Sequence, residues 1–250
     1  MHSFKTLEDL IQNDDQEKLR TFLDSRSCNV NDSDENTGST ALMVAASLGK
    51  LKLIHLLLNH NANVNLQDVD NATALHIAAK NGHSDVCLEL LEAGSNIEHT
   101  DSGGWTPFIW ACYKGHVVTA DSLISRGADI NARGLYNLTG LVWASGRGHY
   151  GIVELLLDNN AKVEAGDKYG TTSLIWAARA GLADICGLLL KAGANVDAVG
   201  MYSWTPLLVA SRGNHFEIVD LILSYNPNIN TVDKDGMTAL AIGKTILIAR

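Results

Sequence analysis

Proline is scarce in this chain, cysteine is scattered, and bases are outnumbered by acids. Three prolines among 250 residues, with 46% hydrophobic and 19% charged residues, leave enough apolar material for a large core, which argues against disorder. The four cysteines, Cys28, Cys87, Cys112 and Cys186, show no CxxC spacing, and the start MHSFKTLEDL lacks the apolar stretch of a secretory signal. Both point to a reducing, cytoplasmic setting. No run approaches the roughly 20 consecutive apolar residues of a membrane helix. The longest candidates are short and charged, as at Glu154 in GIVELLLD, so no direct membrane insertion by this segment is expected. Nineteen bases against 28 acids give a net charge of -9. The first 35 residues alone carry nine acids and four bases. Such a balance repels phosphate backbones and excludes general nucleic-acid binding unless the bases gather on one face.

What is present in abundance is repetition. A threonine followed two residues later by Leu or Phe recurs at Thr40, Thr73, Thr106, Thr139, Thr172, Thr205 and Thr238, at six successive intervals of 33. A fixed period of this length means stacked units that share one continuous core. Five residues after each threonine stand Ala45, Ala78, Ala111, Ala144, Ala177 and Ala210, small enough for two helices to approach closely; the seventh copy has Gly243. Nine after it come Gly49, Gly82, Gly115, Gly148, Gly181 and Asn214, residues that accept the left-handed conformation ending a helix. A second apolar run, such as Ile152, Val153, Leu155, Leu156 and Leu157, closes with Asn61, Gly94, Gly127, Asn160, Gly193 or Asn226. Two residues before each threonine lies another turn former, from Gly38 to Gly236. Each unit therefore reads turn, helix, short loop, helix, long loop.

The segment DKYGTTSLIWAARAG and the later LLLKAGANVDAVG resemble the ankyrin-repeat family across a whole unit. That resemblance implies an all-α solenoid with projecting β-turn or hairpin loops. Six full repeats are expected at 36–68, 69–101, 102–134, 135–167, 168–200 and 201–233. Residues 1–35, with a polar helical pair from Thr6 to Leu23, suit an N-terminal capping repeat, and 234–250 read as an incomplete seventh. Because that seventh copy lacks the alanine pair and a second helix, the chain is expected to be a fragment or truncated form, with Leu221 and Ile222 poorly covered. The tryptophan-bearing strings GGWTPFIWACYKGH and GLYNLTGLVWASGRGH are more specific. They resemble the ankyrin repeat-rich membrane-spanning scaffolds that interact with kinase D. Membership would imply a protein-binding scaffold in receptor signalling, with partners among the cytoplasmic parts of membrane receptors or signalling proteins, and association with the plasma membrane through parts outside this segment.

Residues three and four apart share a helix face. Four after the threonine come Val44, Ile77, Trp110, Trp143, Trp176 and Val209; seven or eight after it come Leu48, Lys80, Tyr113, Lys114, Arg147, Arg179 and Arg212. Both stripes fall on one side of the first helix, the side that the family resemblance makes a concave wall. Either Trp110, Trp143 and Trp176 fill the core between repeats, or they form a partly exposed ladder, with Trp143 beside Arg147 and Trp176 beside Arg179 in cation–π reach. The loop tips add Trp105, Leu135, Tyr136, Tyr169, Met201, Tyr202 and Trp204, where packing asks for no large residue. Aromatics and arginine are enriched in binding hot spots. The expectation is a monomeric scaffold whose third to sixth repeats grip a peptide bearing acidic and apolar side chains. A structural spacer, or a regulatory ankyrin segment, is the alternative.

No enzyme is expected, since no Ser, His and Asp trio stands apart from the repeat, and no cofactor is implied. His83, His116, His149 and His215 share one phase. Helices about 8–10 Å apart cannot bring them to the roughly 2 Å of zinc ligation, so local hydrogen bonding beside the helix-ending glycines is expected. Gly146, Gly148 and Gly151 spell GxGxxG without a preceding strand, which makes them a coincidence of the repeat. Cys87, Cys112 and Cys186 read as small core residues.

Overall fold

A computed structural model describes residues 2–25 and 28–248. The chain divides into two compact units, Met1–Asp129 and Ile130–Arg250. The first unit holds α1 (His2–Gln12), α2 (Gln16–Asp24), α3 (Ala41–Ser47), α4 (Leu51–Asn59), α5 (Ala74–Asn81), α6 (Ser84–Glu92), α7 (Pro107–Lys114) and α8 (Val117–Ser125). Helices α1, α3, α5 and α7 pack on one another in one layer, and α2, α4, α6 and α8 in a second. In the other unit α9 (Gly140–Arg147), α11 (Ser173–Ala180), α13 (Pro206–Gly213) and α15 (Ala239–Ile248) form one layer, with α10 (Tyr150–Asp158), α12 (Ala183–Lys191) and α14 (Phe216–Leu223) behind.

Four of the first helices start at a repeated threonine whose hydroxyl caps them. Thr40, Thr106, Thr139 and Thr205 are extended, and their hydroxyls accept the amide of the third residue on, at Met43, Ile109, Val142 and Leu208. Pro107 and Pro206 take the first helical position, where the missing N–H costs nothing. Gly82, Gly115, Gly148, Gly181 and Asn214 end the helices in the left-handed region, as the spacing predicts. The six alanines at the fifth position are completely buried. The two helix layers meet across them.

The leucine or phenylalanine two after the threonine is buried in the first six copies, from Leu42 to Leu207, whereas Leu240 is 67% exposed. Among the described residues no further first helix packs beyond it in this layer. Against expectation Ile222 is completely buried, because it points into the α14 side that packs on α12 and α13; Leu221 is half-buried. Among the described residues no strand forms. The expected hairpins shrink to single bridges, Ser33 with Thr40, Arg133 with Thr139 and Val232 with Thr238.

Cys87, Cys112 and Cys186 lie in the core. Burial pushes the Cys87 and Cys186 thiols up to about 12 and the Cys112 thiol higher still, so none is a thiolate at neutral pH.

Candidate functional site

The tips are built by two different local chemistries. Where an aspartate lies five residues before the threonine, its carboxylate holds the turn. Asp68 Oδ1 accepts the amides of Asp70 and Ala72, Asp101 Oδ1 those of Gly103 and Trp105, Asp167 Oδ1 those of Tyr169 and Thr171, and Asp233 Oδ1 those of Asp235 and Met237. One left-handed residue then suffices, as at Asn71 and Gly104. Two copies have glycine in place of that aspartate, Gly134 and Gly200. There the turns Leu135–Asn137 and Met201–Ser203 carry two successive left-handed residues, Tyr136 with Asn137 and Tyr202 with Ser203. Tyrosine in that region costs on the order of 1–3 kcal/mol unless its surroundings hold it. Here the next tip holds it: Lys168 N donates to Tyr136 O at 2.8 Å and its ammonium sits 4.0 Å from the Tyr136 ring, while Lys234 N donates to Tyr202 O at 3.2 Å with its ammonium 5.3 Å from that ring. The Tyr136, Tyr169 and Tyr202 side chains are all exposed.

In the first unit the aromatic residues gather. Trp105, Trp110 and Tyr113 form a cluster with ring centroids 4.5, 5.0 and 5.8 Å apart. Trp105 is therefore not the projecting tip residue the sequence suggests. Its backbone is pinned by Asp101, and the half-buried indole turns back onto Trp110. Trp110 Nε1 donates to Asp101 Oδ2 at 2.7 Å, and the Lys80 ammonium, from the preceding repeat, lies 4.4 Å from the Trp110 ring. Lys114 stands 5.6 Å from Tyr113.

The second unit groups arginine with indole. Trp143 is half-buried in α9 and Arg147 is exposed at the end of that helix. Trp176 is half-buried, and its six-membered ring lies over Gly146, where an added Cβ would come within 3.2 Å. The glycine that looks like half of a dinucleotide fingerprint makes room for an indole. Trp176 thus packs on the preceding repeat and its indole nitrogen is buried, while the residue as a whole stays half-buried. Arg179 approaches Trp176 at 5.9 Å and Trp204 at 5.5 Å; Arg212 approaches Trp204 at 5.8 Å. Tyr202 is 5.6 Å from Trp204. Arg212 also stands 4.0 Å from the carboxylate of Asp233, a buried residue that sequence reasoning did not single out.

The phase-locked histidines link neighbouring repeats. His83 Nε2 faces the Ser47 carbonyl and His116 Nε2 the Lys80 carbonyl, each at 3.1 Å, and His215 abuts Gly181. Among the described residues no group of His, Cys, Asp and Glu could hold a metal ion.

His76 is a different case. It is buried, its Nδ1 accepts the Thr73 amide at 3.2 Å, and its Nε2–H donates to the Trp105 carbonyl at 3.1 Å. Both nitrogens are used in the neutral form, and burial holds the imidazole below its ordinary pKa, against the opposing pull of the Trp105 carbonyl hydrogen bond and the nearby Asp101 carboxylate. The unfolded chain therefore binds this proton more readily. Stability is expected to be constant above the ordinary imidazole pKa of about 6.5, to fall as pH drops through that value, and to level off below the folded pKa. Met43 serves the same position in the first repeat, its sulfur 3.4 Å from the Thr40 amide. Urea melts of His76→Met between pH 5 and 8 should lack that part of the slope. His60, raised by Asp24, contributes with the opposite sign and is common to both proteins.

Threonine-capped helix pairs stacked in two layers, with Asx-held turns between them, define an ankyrin-repeat protein. The chain belongs to that family: residues 7–101, 70–134 and 133–200 match the family described as Ankyrin repeats (3 copies), and 202–234 match Ankyrin repeat. Its fold is that of the ankyrin-repeat solenoid. Among solved structures it is similar to the human ASB11 ankyrin repeat domain at 28% identity and a TM-score of 0.74, over 85% of this chain and 98% of that one. No curated protein matches. Ankyrin repeats are typically non-catalytic modules that bind protein partners. Among the described residues no helix is long and apolar enough to cross a membrane.

Proposed function

We propose that this chain is a non-catalytic scaffold whose second unit takes a partner segment bearing acidic and apolar side chains on its first-helix face and tips. The observation that carries this reading is Trp204, half-buried, with Arg179 and Arg212 at 5.5 and 5.8 Å and Tyr202 beside it. The guanidinium groups of Arg179 and Arg212 flank that aromatic surface and can take a partner carboxylate, Arg212 alongside its 4.0 Å approach to Asp233. Tyr136, Tyr169 and Lys168 provide a second exposed group on the same unit's tips. The family's concave-wall geometry supports extending the surface to Trp143, Arg147 and Trp176. In the first unit Trp105, Trp110, Tyr113 and Lys114 belong to the same stripe by repeat phase. A place in the cytoplasm beside membrane receptors rests on the resemblance of the tryptophan-bearing strings to membrane-spanning ankyrin scaffolds.

The test is affinity purification from cells with the wild-type chain, Trp204→Ala, and Arg179→Glu with Arg212→Glu. Truncating a hot-spot residue removes about 2 kcal/mol or more, roughly thirtyfold in affinity. At least one partner should be lost from both variants while their circular dichroism stays unchanged. Equal recovery by all three proteins would remove this surface and favour a spacer.

A further inference from the structure

The first unit has a hollow of about 310 Å³ between its second and third tips, bounded by Asp68, Asp70, Asp101, Lys80, Trp105 and Trp110. Its volume lies at the small end of the range for ligand pockets and is ample for one inserted side chain. Three carboxylates face one ammonium, so the hollow keeps a surplus of negative charge. The described hydrogen bonds to Asp68 use Oδ1, and among the described residues no hydrogen bond or ion pair reaches the Asp70 carboxylate, which stands exposed at the rim. Asp101 is committed to the turn and to Trp110 Nε1. The floor is therefore aromatic, its position fixed by a hydrogen bond, and the rim is anionic.

One cation already uses it. The Lys80 ammonium rests 4.4 Å from the Trp110 ring, although its side chain is exposed and free to leave. That contact shows which chemistry the hollow accepts: a positive charge over an indole face, next to carboxylates. A planar guanidinium fits this arrangement better than an ammonium, because it can stack on indole and hydrogen-bond carboxylate oxygens in its own plane.

We propose that this hollow receives a single basic side chain of a partner protein, arginine above all, and that Lys80 is the occupant it displaces. The two units then differ in sign: the arginine-flanked Trp204 favours acidic segments, whereas the hollow favours basic ones. This inference rests on reading the chain as an interaction scaffold, but its test needs no natural partner, so the two can fail separately.

The probe is a capped tripeptide, acetyl-Ala-Arg-Ala-amide, with acetyl-Ala-Glu-Ala-amide as its control, titrated against the whole chain while the indole N–H signals are followed by NMR. Signals are assigned by single Trp→Phe variants. The arginine peptide should shift Trp105 and Trp110, and the glutamate peptide should not. Lys80→Met should tighten arginine binding about two- to fivefold, the effect of removing one exposed cation–π competitor. Asp70→Asn should weaken it, with the fold unchanged because only the carboxylate charge is lost. Equal shifts from both peptides, silence at Trp105 and Trp110, or weaker binding by Lys80→Met would each overturn the proposal.

Discussion

Replacing Phe108 with alanine is expected to destabilise the first unit by about 3–5 kcal/mol, the range for emptying a fully buried aromatic site. Phe108 is wholly buried in α7, at the position that five other buried copies fill with leucine. Its helix lies between α5 and α8, so the cavity opens where two layers meet. Neighbouring backbones are fixed by threonine caps at one end and left-handed glycines at the other, which limits collapse into the void. In a repeat protein the loss stays near its origin, because each repeat is stabilised by its own packing and that of its neighbours. Amide exchange should accelerate first across α5 to α8, and the urea transition of the first unit should move to lower concentration. A loss below about 1 kcal/mol would mean that this layer repacks freely. A loss spread evenly along all the described helices would mean that the damage is not confined to the repeats around Phe108.

The helices were legible because their signals repeat and are local. Thr40 to Thr238 mark helix starts, and glycine or asparagine nine residues on marks their ends; both reduce to backbone groups within four residues of each other. The tips were less legible. The substitution of Gly134 and Gly200 for the turn aspartates is visible in the sequence, yet its effect, a left-handed tyrosine braced by a lysine of the next tip, depends on residues 32 positions apart, such as Tyr136 and Lys168.

The same distance explains the aromatic surface. Spacing within one helix correctly joins Trp176 to Arg179, at 5.9 Å. It misses Lys80 on Trp110 and Arg179 on Trp204, where the cation reaches across to the following repeat. It also misses Asp101, whose second oxygen accepts a hydrogen bond from the Trp110 indole N–H while the first holds the turn. A period of 33 reveals which positions are equivalent, but which of them touch is set by how far each side chain leans toward its neighbour.

Gly82 offers the sharpest separation of backbone from packing. Its φ is +80°, so alanine there pays the left-handed penalty, about 1–2 kcal/mol. Gly94 has a φ of +93° and the same penalty, but a Cβ at Gly94 would meet nothing within 4 Å. A Cβ at Gly82 would come within 2.7 Å of the His116 ring, which is held in place by its hydrogen bond to the Lys80 carbonyl. The ring must move, and the exposed hydrogen bond to the Lys80 carbonyl near the end of α5 is lost, which adds about 0.5–1.5 kcal/mol. Gly82→Ala is therefore expected to cost about 1.5–3.5 kcal/mol and Gly94→Ala about 1–2. His116→Ala in the Gly82→Ala background should cost less than it does alone, since the clash vanishes with the ring. The coupling energy of that double-mutant cycle measures the contact between repeats directly. Equal costs for the two glycines, or strict additivity with His116→Ala, would show that His116 does not rest on Gly82.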